Sequence, residues 1–369
     1  MSAARLRIDY ALRLAAGEDA TAKAEGIARE QTVELDLALV SLSVREAVVG
    51  RVEAVETTGP RRARATLSFP LAAVGDDLPQ LLNLLFGNIS MQQGVRIEAV
   101  AWPEELLAGF AGPRFGIAGL RALSGVPARP LLCAALKPLG LSAQELAALA
   151  GRLARGGIDL IKDDHSLVDQ PWAPFAERLE RCQEAVERAN AASGGRTLYL
   201  PNLTGKVERL DERAARARAA GCRAALVAPL LVGLDAVRGL AASSGLALLG
   251  HPSFTGGLLG RAHGIAPALL WGDLFRLAGC DGTIYPNAGG RFPYSLGECV
   301  AVAEHLRRPW GALAPAFPVL GGGMDAAKIR RWRRVYGEDT IFLLGGSLLG
   351  QADLETGART LRAQLEEAR

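Results

Sequence analysis

The segment "IKDDHS", residues 161–166, places a lysine, two aspartates and a histidine at consecutive positions directly after apolar residues. Carboxylate and imidazole groups are common ligands of divalent cations. Lysine can lose its proton near neutral pH and then act as a base or a nucleophile, whereas arginine cannot. Only five of the 42 basic residues are lysines, so arginine is the usual cation of this chain. Lys162 therefore calls for a chemical explanation.

Three explanations of this cluster are open from the residues alone. The simplest is a solvated turn in which Asp163 or Asp164 only caps the next helix. The second is a metal site, for which Asp164 and His165 supply two ligands. Lys162 would supply a third ligand if its amine reacted with CO2 to form a carbamate. The third explanation is a lysine that forms a Schiff base, as in class I aldolases, which need no metal ligands beside it.

The elements that would position the cluster form a repeating pattern from residue 131 onward. Short apolar strands alternate with amphipathic helices, which is typical of a parallel sheet buried on both faces. The eight strands read "LLCAALK", "IDLIKDD", "TLYLPN", "RAALVAP", "LALLGH", "DGTIYP", "FPVLGGG" and "TIFLLGG". Eight such units close into a (β/α)8 barrel, whereas a doubly wound open sheet normally has fewer. We predict a barrel over residues 126–369, with its active site at the C-terminal strand ends.

Polar residues gather where the predicted barrel strands end. Lys137 ends the first strand, residues 162–165 end the second, Asn202 ends the third and His251 ends the fifth. The seventh and eighth strands end in "GGGMD" and "GGS", and the loops after these strands are the usual phosphate site of such barrels. The pattern predicts a small phosphorylated substrate.

Before the barrel, residues 1–125 have a different pattern. It reads strand, helix, strand, strand, helix, strand, which is the β-α-β-β-α-β order of a ferredoxin-like α+β domain. The segments are "RLRIDYALRL", residues 18–31, "AVVGRVEAVE", "RARATLSFP", "DDLPQLLNLLFGNIS" and "VRIEAVAWP". A Gly- and Pro-rich segment, "AGPRFGIAGLRALSGVPARP", is predicted to link the two domains.

Charge and cysteine usage exclude several function classes. The 42 basic and 39 acidic residues nearly cancel and form no long run, so we expect neither nucleic acid nor membrane as a partner. The five cysteines are scattered without a CxxC pair, which argues against a disulfide framework or a zinc site. No uninterrupted apolar segment is long enough for a signal peptide or a membrane span, so we expect a cytoplasmic protein.

Residues 131–179 resemble the RuBisCO large subunit around its activation lysine, and "GIDLIKDDH" is similar to that family's G-G-x-D-x-x-K-D-D-E motif. The similarity continues in "LFGNIS", "GPRFGI", "LLGH", "PVLGGGM" and "FLLGGSLLG", and so spans both predicted domains. By this resemblance, Lys162 would be the carbamylated lysine, with Asp164 and His165 as the other protein ligands of Mg2+. Lys137 would be the active-site lysine after the first strand, and His251 the strand-five histidine.

The resemblance also implies a homodimer whose active sites are shared between subunits. Glu30 and Asn88 would reach the site from the N-terminal domain of the neighbouring subunit. The substrate phosphate would be cradled by four glycines, namely Gly322, Gly323, Gly345 and Gly346. His165 stands where the family has glutamate. A neutral imidazole in place of this carboxylate makes the formal charge of the ligand set about −2 rather than about −3. We expect Mg2+, with Mn2+ as the alternative, because imidazole is a softer ligand.

Three departures from the carboxylase pattern bear on function. Leu139 follows Pro138 where the family has a second lysine, and Pro252 follows His251 where an arginine helps to bind a second phosphate. The loop "PNAGGRFPYS" lacks the lysine that carboxylation requires, and we expect its Arg291 to bind substrate phosphate instead. A bisphosphate substrate and CO2 fixation are thus not expected. The chain resembles the RuBisCO-like proteins of form IV.

The expected chemistry is metal-assisted enolisation of a keto-sugar monophosphate. The resemblance favours isomerisation of 5-methylthioribulose 1-phosphate to 1-methylthioxylulose 5-phosphate. The alternative is a decarboxylase of a β-keto sugar-acid phosphate such as 3-oxo-isoapionate 4-phosphate. The enolases of methionine salvage match less well, because they use a lysine where this chain has Asn88. A non-catalytic protein that binds a phosphorylated ligand is the alternative of another class.

Overall fold

A computed structural model describes residues 4–322 and 324–367. The chain divides into two compact units, and the first comprises the chain up to Phe110 together with Phe254–Leu270. The second unit comprises the remainder. The predicted boundary after residue 125 therefore lies inside the second unit. The reason is that the predicted linker contains a helix, Gly116–Ser124, whose apolar side chains pack in the core of the second unit.

The first unit is a sheet of four long strands with helices in the connections. Its elements are β1 (Arg5–Arg13), α1 (Ala20–Glu30), α2 (Leu42–Val48), β2 (Arg51–Gly59), β3 (Arg62–Pro70), α3 (Leu78–Phe86), β4 (Val95–Ala101) and α4 (Glu104–Leu107). The strand order is β4-β1-β3-β2, and β1 is antiparallel to both of its neighbours. This order confirms the ferredoxin-like domain. A two-residue strand, Gly264–Ile265, adds a parallel partner to β4.

One predicted boundary in the first unit is wrong. The strand expected to begin at Ala47 begins at Arg51, because α2 occupies Leu42–Val48. The Ser41 side chain accepts a hydrogen bond from the Val44 amide and so caps this helix at its N-terminus. The cap favours a helix over the extended conformation that the β-branched residues indicated.

The second unit is an eight-stranded parallel barrel. Its strands are β5 (Leu131–Leu136), β6 (Leu160–Asp163), β7 (Leu198–Leu200), β8 (Ala224–Val227), β9 (Ala247–Gly250), β11 (Gly282–Pro286), β12 (Phe317–Gly321) and β13 (Ile341–Leu344), while β10 is the short strand of the first unit. The hydrogen-bonded order is β7-β6-β5-β13-β12-β11-β9-β8. The amide of Leu226 bonds to the Pro201 carbonyl at 2.9 Å and the amide of Leu203 to the Leu226 carbonyl at 2.8 Å, which joins β8 to β7. The predicted barrel is confirmed.

Helices connect the barrel strands on the outside. They are α5 (Gly116–Ser124), α6 (Ala143–Arg155), α7 (Phe175–Ser193), α8 (Leu210–Ala219), α9 (Pro229–Val232), α10 (Leu234–Ser243), α11 (Phe275–Leu277), α12 (Leu296–Arg307), α13 (Ala326–Tyr336), α14 (Gly346–Leu349) and α15 (Leu354–Glu367). Shorter helical turns are Leu37–Leu39, Leu71–Ala73, Asn88–Met91, Val207–Arg209, Gly256–Leu258 and the π-helical Ala268–Leu274. Among the described helices, none has the length and apolar character to cross a membrane.

The alternation of side chains along each strand determines which residues point into the barrel. Alternate residues of a strand point to opposite faces, and Leu160 belongs to the apolar cluster inside the barrel together with Cys133 and Leu200. Two residues beyond Leu160, Lys162 therefore points inward, and Asp164 follows on the same side. Asp163 points outward, toward the helix layer.

Candidate active site

Lys162 lies in the barrel interior below the mouth. Only 2% of the residue is exposed, and its Nζ donates a hydrogen bond to the Asp163 carbonyl at 2.9 Å. Burial lowers the pKa of the Lys162 amine, and the charge of Lys137 lowers it further, while Cys133 and Asp164 oppose the shift. The barrel therefore favours the neutral, nucleophilic form of this amine.

Asp164 stands at the mouth and pairs with the lysine of the first barrel strand. Its Oδ2 lies 2.7 Å from the Nζ of Lys137, and its Oδ1 accepts a hydrogen bond from the Ser166 amide at 3.1 Å. Burial by itself raises the pKa of this carboxyl, but the Lys137 ammonium and the Ser166 amide hold it below its ordinary value. Asp164 is consequently a carboxylate at neutral pH.

Two imidazole rings from different strands stack against each other at the mouth. The centroids of His165 and His251 are 4.3 Å apart and their planes differ by 7°. Burial lowers the pKa of His165, and that of His251 falls to about 2 for the same reason, reinforced by Lys162. The Ser253 amide donates to Nδ1 of His251 at 3.2 Å, so the neutral ring carries its proton on Nε2. His251 can therefore donate from Nε2 to a bound ligand.

The first aspartate of the cluster has a different environment. Asp163 is fully buried. Its carboxylate accepts hydrogen bonds from Arg178 Nε at 3.0 Å, the Tyr199 hydroxyl at 2.8 Å and the backbone amide of Asn202 at 3.0 Å. Arg178 is also fully buried. Asp163 is thus a structural counter-charge. Sequence reasoning missed Arg178 and Tyr199, because no local pattern indicates which helical arginine or strand tyrosine meets this carboxylate.

The loops after β12 and β13 lie together at the barrel mouth. The Ser347 hydroxyl donates a hydrogen bond to the Met324 carbonyl and so links the two loops. At Gly345 and Gly346 an added Cβ would meet no atom within 4 Å, which leaves the backbone accessible to a ligand. Gly322 has a left-handed φ of +85°, and Gly323 lies outside the described residues.

The remaining predicted residues lie in two places. Arg291 is exposed after β11, and its charge contributes to the lowered pKa of His165. Glu30 and Asn88 belong to the first unit, where Asn88 Nδ2 donates to Glu30 Oε1 at 3.2 Å. The structure thus brings Lys137, Lys162, Asp164, His165 and His251 together in the barrel, and Glu30 and Asn88 together in the first unit.

Unmodified side chains do not complete a metal site here. Within residues 4–322 and 324–367, no group of three or more His, Cys, Asp or Glu side chains is arranged to hold a metal ion. Asp164 and His165 alone provide too few ligands for a tightly bound divalent cation. A metal ion would therefore need a further donor from the protein.

Comparison with known proteins gives the chain its relatives. The family of the ribulose bisphosphate carboxylase large chain, catalytic domain, matches this sequence over residues 116–292. A 5-methylthioribulose-1-phosphate isomerase of Rhodospirillum rubrum is 42% identical over 352 residues, which are 95% of this chain and 92% of the relative. A 2,3-diketo-5-methylthiopentyl-1-phosphate enolase of Geobacillus thermodenitrificans is 34% identical in an alignment of 373 positions that covers 95% of this chain and 90% of the relative.

A solved structure agrees over almost the whole chain. A Rubisco-like protein from Rhodopseudomonas palustris superposes with a TM-score of 0.90 at 38% identity, covering 98% of each chain. The solved structure therefore contains counterparts of both the barrel and the first unit of this chain. The chain belongs to the RuBisCO large-chain family, in which it is a RuBisCO-like protein of form IV and not a carboxylase.

Proposed function

We propose that this protein is a metal-dependent isomerase that converts 5-methylthioribulose 1-phosphate to 1-methylthioxylulose 5-phosphate and fixes no CO2. The observation that carries the proposal is the convergence of Lys137, Lys162, Asp164, His165 and His251 at the barrel mouth. These groups supply a base, a carboxylate, two neutral imidazoles and a reactive amine. The relative named as this isomerase is 42% identical, whereas the relative named as an enolase is 34% identical.

The residues fit a divalent ion held through a modified lysine. Asp164 and His165 are two donors, and the described residues offer no third from His, Cys, Asp or Glu. Because burial lowers the pKa of Lys162, its neutral amine is available to react with CO2. The resulting carbamate would be the missing oxygen donor for Mg2+ or Mn2+. A bound ion of this kind would polarise the substrate carbonyl and make the neighbouring C–H acidic.

The reaction moves a carbonyl group along the carbon chain. The substrate has its carbonyl at C2, and in the product, which is numbered from the methylthio end, the carbonyl is at the former C4. Two successive proton transfers accomplish this change, first from C3 to C2 and then from C4 to C3. The base in this proposal is the carbamate of Lys162 or the amine of Lys137, and His251 donates a hydrogen bond from Nε2 to a substrate oxygen.

The two ends of the substrate fit different parts of the mouth. Gly345 and Gly346 present accessible backbone for a phosphate, with Gly322 in the neighbouring loop, and Arg291 adds a positive charge. The other end of the site lacks a cation, because Pro252 stands where the carboxylases have the arginine that helps to bind a second phosphate. A methylthio group needs no charged partner. This difference supports a monophosphate with one apolar end.

Asn88 distinguishes the isomerase from the enolase. The enolases resembled by this chain use a lysine at this position, and an amide cannot replace an amine as a base. Asn88 here donates its side-chain amide to Glu30. We further propose that the pair Glu30 and Asn88 contacts substrate in a homodimer with shared sites, where it binds and orients but accepts no proton.

The test is a 31P and 1H NMR assay in D2O with purified protein, Mg2+, bicarbonate and 5-methylthioribulose 1-phosphate. New phosphorus and methylthio signals are expected, with deuterium at the former C2 or C3 if the transferred proton meets solvent. Lys162→Met should abolish the reaction, and so should removal of CO2 from the buffer. Intact substrate without deuterium exchange would refute the proposal, and β-keto sugar-acid phosphates would then be tested for decarboxylation.

A further inference from the structure

We infer that Asn202 is a positioning residue: it holds the loop after β6 in the conformation that presents the His165 imidazole at the barrel mouth. The assignment of His165 as a metal ligand rests on the proposed function, whereas the role of Asn202 in placing that ring does not. Asn202 follows β7, so it reaches the loop from the neighbouring strand.

The contacts of Asn202 are specific to its amide. The residue is fully buried, and its Nδ2 donates to the carbonyl of His165 at 3.0 Å and to that of Leu167 at 3.0 Å. Its Oδ1 accepts from the Thr204 amide at 3.1 Å. Both N–H donors and the oxygen are thus engaged, and only this orientation of the amide satisfies all three partners. No other residue type of this size has two donors and one acceptor in this arrangement.

The loop is held by individual hydrogen bonds, and those of Asn202 are the ones that reach the His165 carbonyl from a neighbouring strand. Residues 164–174 contain no helix or strand between β6 and α7. Arg178 holds the outer part of the loop, where it donates to the Val168 carbonyl at 2.9 Å and the Ala173 carbonyl at 2.6 Å. Asn202 holds the inner part, where the site residues are.

His165 itself is not fixed by burial. Its side chain is 38% exposed, and the ring contacts that orient it are the stack on His251 and the neighbouring Asp164 carboxylate. A ring held so weakly takes its place from the backbone that carries it. Because Asn202 binds the carbonyl of His165 directly, its loss should release the ring from the stack.

Thr204 offers a matched control. It is buried beside Asn202, and its hydroxyl accepts a hydrogen bond from the Ala228 amide at 2.9 Å, away from the loop after β6. Thr204→Val removes a buried hydrogen bond of the same strand end but leaves both Asn202 contacts in place. Asn202→Ala removes the donors, and Asn202→Asp keeps the size but sets a carboxylate against two carbonyl oxygens.

The experiment compares these three variants with the wild type by NMR of 13C-labelled histidine and by hydrogen exchange, without metal or substrate. The chain has only four histidines, so the signals of the stacked pair can be assigned by substitution. In both Asn202 variants we expect loss of the ring-current shift of His165 and at least tenfold faster exchange of the Ser166 and Leu167 amides. Thr204→Val should keep the wild-type values.

Metal affinity is the second readout. Binding of Mn2+ in the presence of bicarbonate, followed by electron paramagnetic resonance, should weaken about 10- to 100-fold in the Asn202 variants and remain unchanged in Thr204→Val. Wild-type His165 shifts and exchange rates in both Asn202 variants, or equal changes in Thr204→Val, would overturn the inference. If the wild type binds neither Mn2+ nor Mg2+, the proposed function fails, while the histidine spectra still decide the role of Asn202.

Discussion

The same substitution should affect different properties at the two adjacent aspartates of the cluster. Asp163→Asn should lower stability, and Asp164→Asn should lower metal binding. Asp163→Asn removes the negative charge beside Arg178, and both side chains of this pair have no exposed surface. The guanidinium then remains buried without an anion. Asp164→Asn removes the partner of Lys137, whose side chain is 43% exposed and can be solvated by water.

The magnitudes follow from these exposures. Breaking a buried ion pair by removing one partner costs about 3–5 kcal/mol in the free energy of unfolding. Asp164→Asn leaves behind only a cation that water can solvate, although Asp164 itself is 7% exposed, so we expect a cost nearer that of exposed pairs, about 1 kcal/mol or less. Asp163→Asn should therefore unfold at a clearly lower urea concentration than Asp164→Asn. Only Asp164→Asn should lose Mn2+ binding while its stability stays close to that of the wild type.

Urea unfolding followed by tryptophan fluorescence measures this difference. Four of the five tryptophans lie in the barrel unit, so the signal reports mainly on the unit that contains both aspartates. The double variant Asp163→Asn with Arg178→Met should recover part of the lost stability, because it leaves no unpaired charge. Equal costs for the two aspartates, or a larger cost for Asp164, would refute the reasoning.

Three further predictions concern the same mouth. Burial lowers the pKa of Lys162, so the unfolded chain holds this proton more tightly and folding stability should rise with pH toward the usual lysine pKa of about 10.4. Lys162→Met should thus be more stable than the wild type at pH 6, with the gain shrinking near pH 10 in urea titrations. With a pKa of about 2, His251 should show no imidazole titration by NMR between pH 8 and 5, and its share of stability should fall as pH drops below about 6.5. A titration near 6.5 would contradict the burial argument. Gly345→Ala should leave the unfolding midpoint unchanged but weaken phosphate binding, with Gly239→Ala as control, since a Cβ at either position meets no atom within 4 Å. Undiminished 31P-detected phosphate binding would exclude Gly345 from the cradle.

Much of the fold could be predicted because it depends on patterns within short segments. Each barrel strand is a short apolar run, and the alternation of "IDLIKDD" places Lys162 and Asp164 on the inner side and Asp163 on the outer side. Contacts between distant segments leave no such pattern. The segment Phe254–Leu270 departs from the barrel and adds a strand beside β4, although it follows a barrel strand in sequence. The contacts of Asn202 with the loop after β6 likewise depend on the closed barrel and not on any local motif.

Burial explains why position 162 has a lysine in a chain whose usual cation is arginine. A side chain buried to 2% exposure inside an apolar barrel is tolerated there only if it can shed its charge or pair it. Arginine remains charged at every pH at which the protein folds, so it can occupy this place only if buried acceptors satisfy its guanidinium. Arg178 illustrates the cost, because its buried guanidinium is paired with the equally buried carboxylate of Asp163. If Lys162 instead stayed charged, Lys162→Arg would be tolerated. We expect Lys162→Arg to lower stability at pH 7, whereas Lys162→Met should raise it, and urea unfolding of the two variants compares them directly.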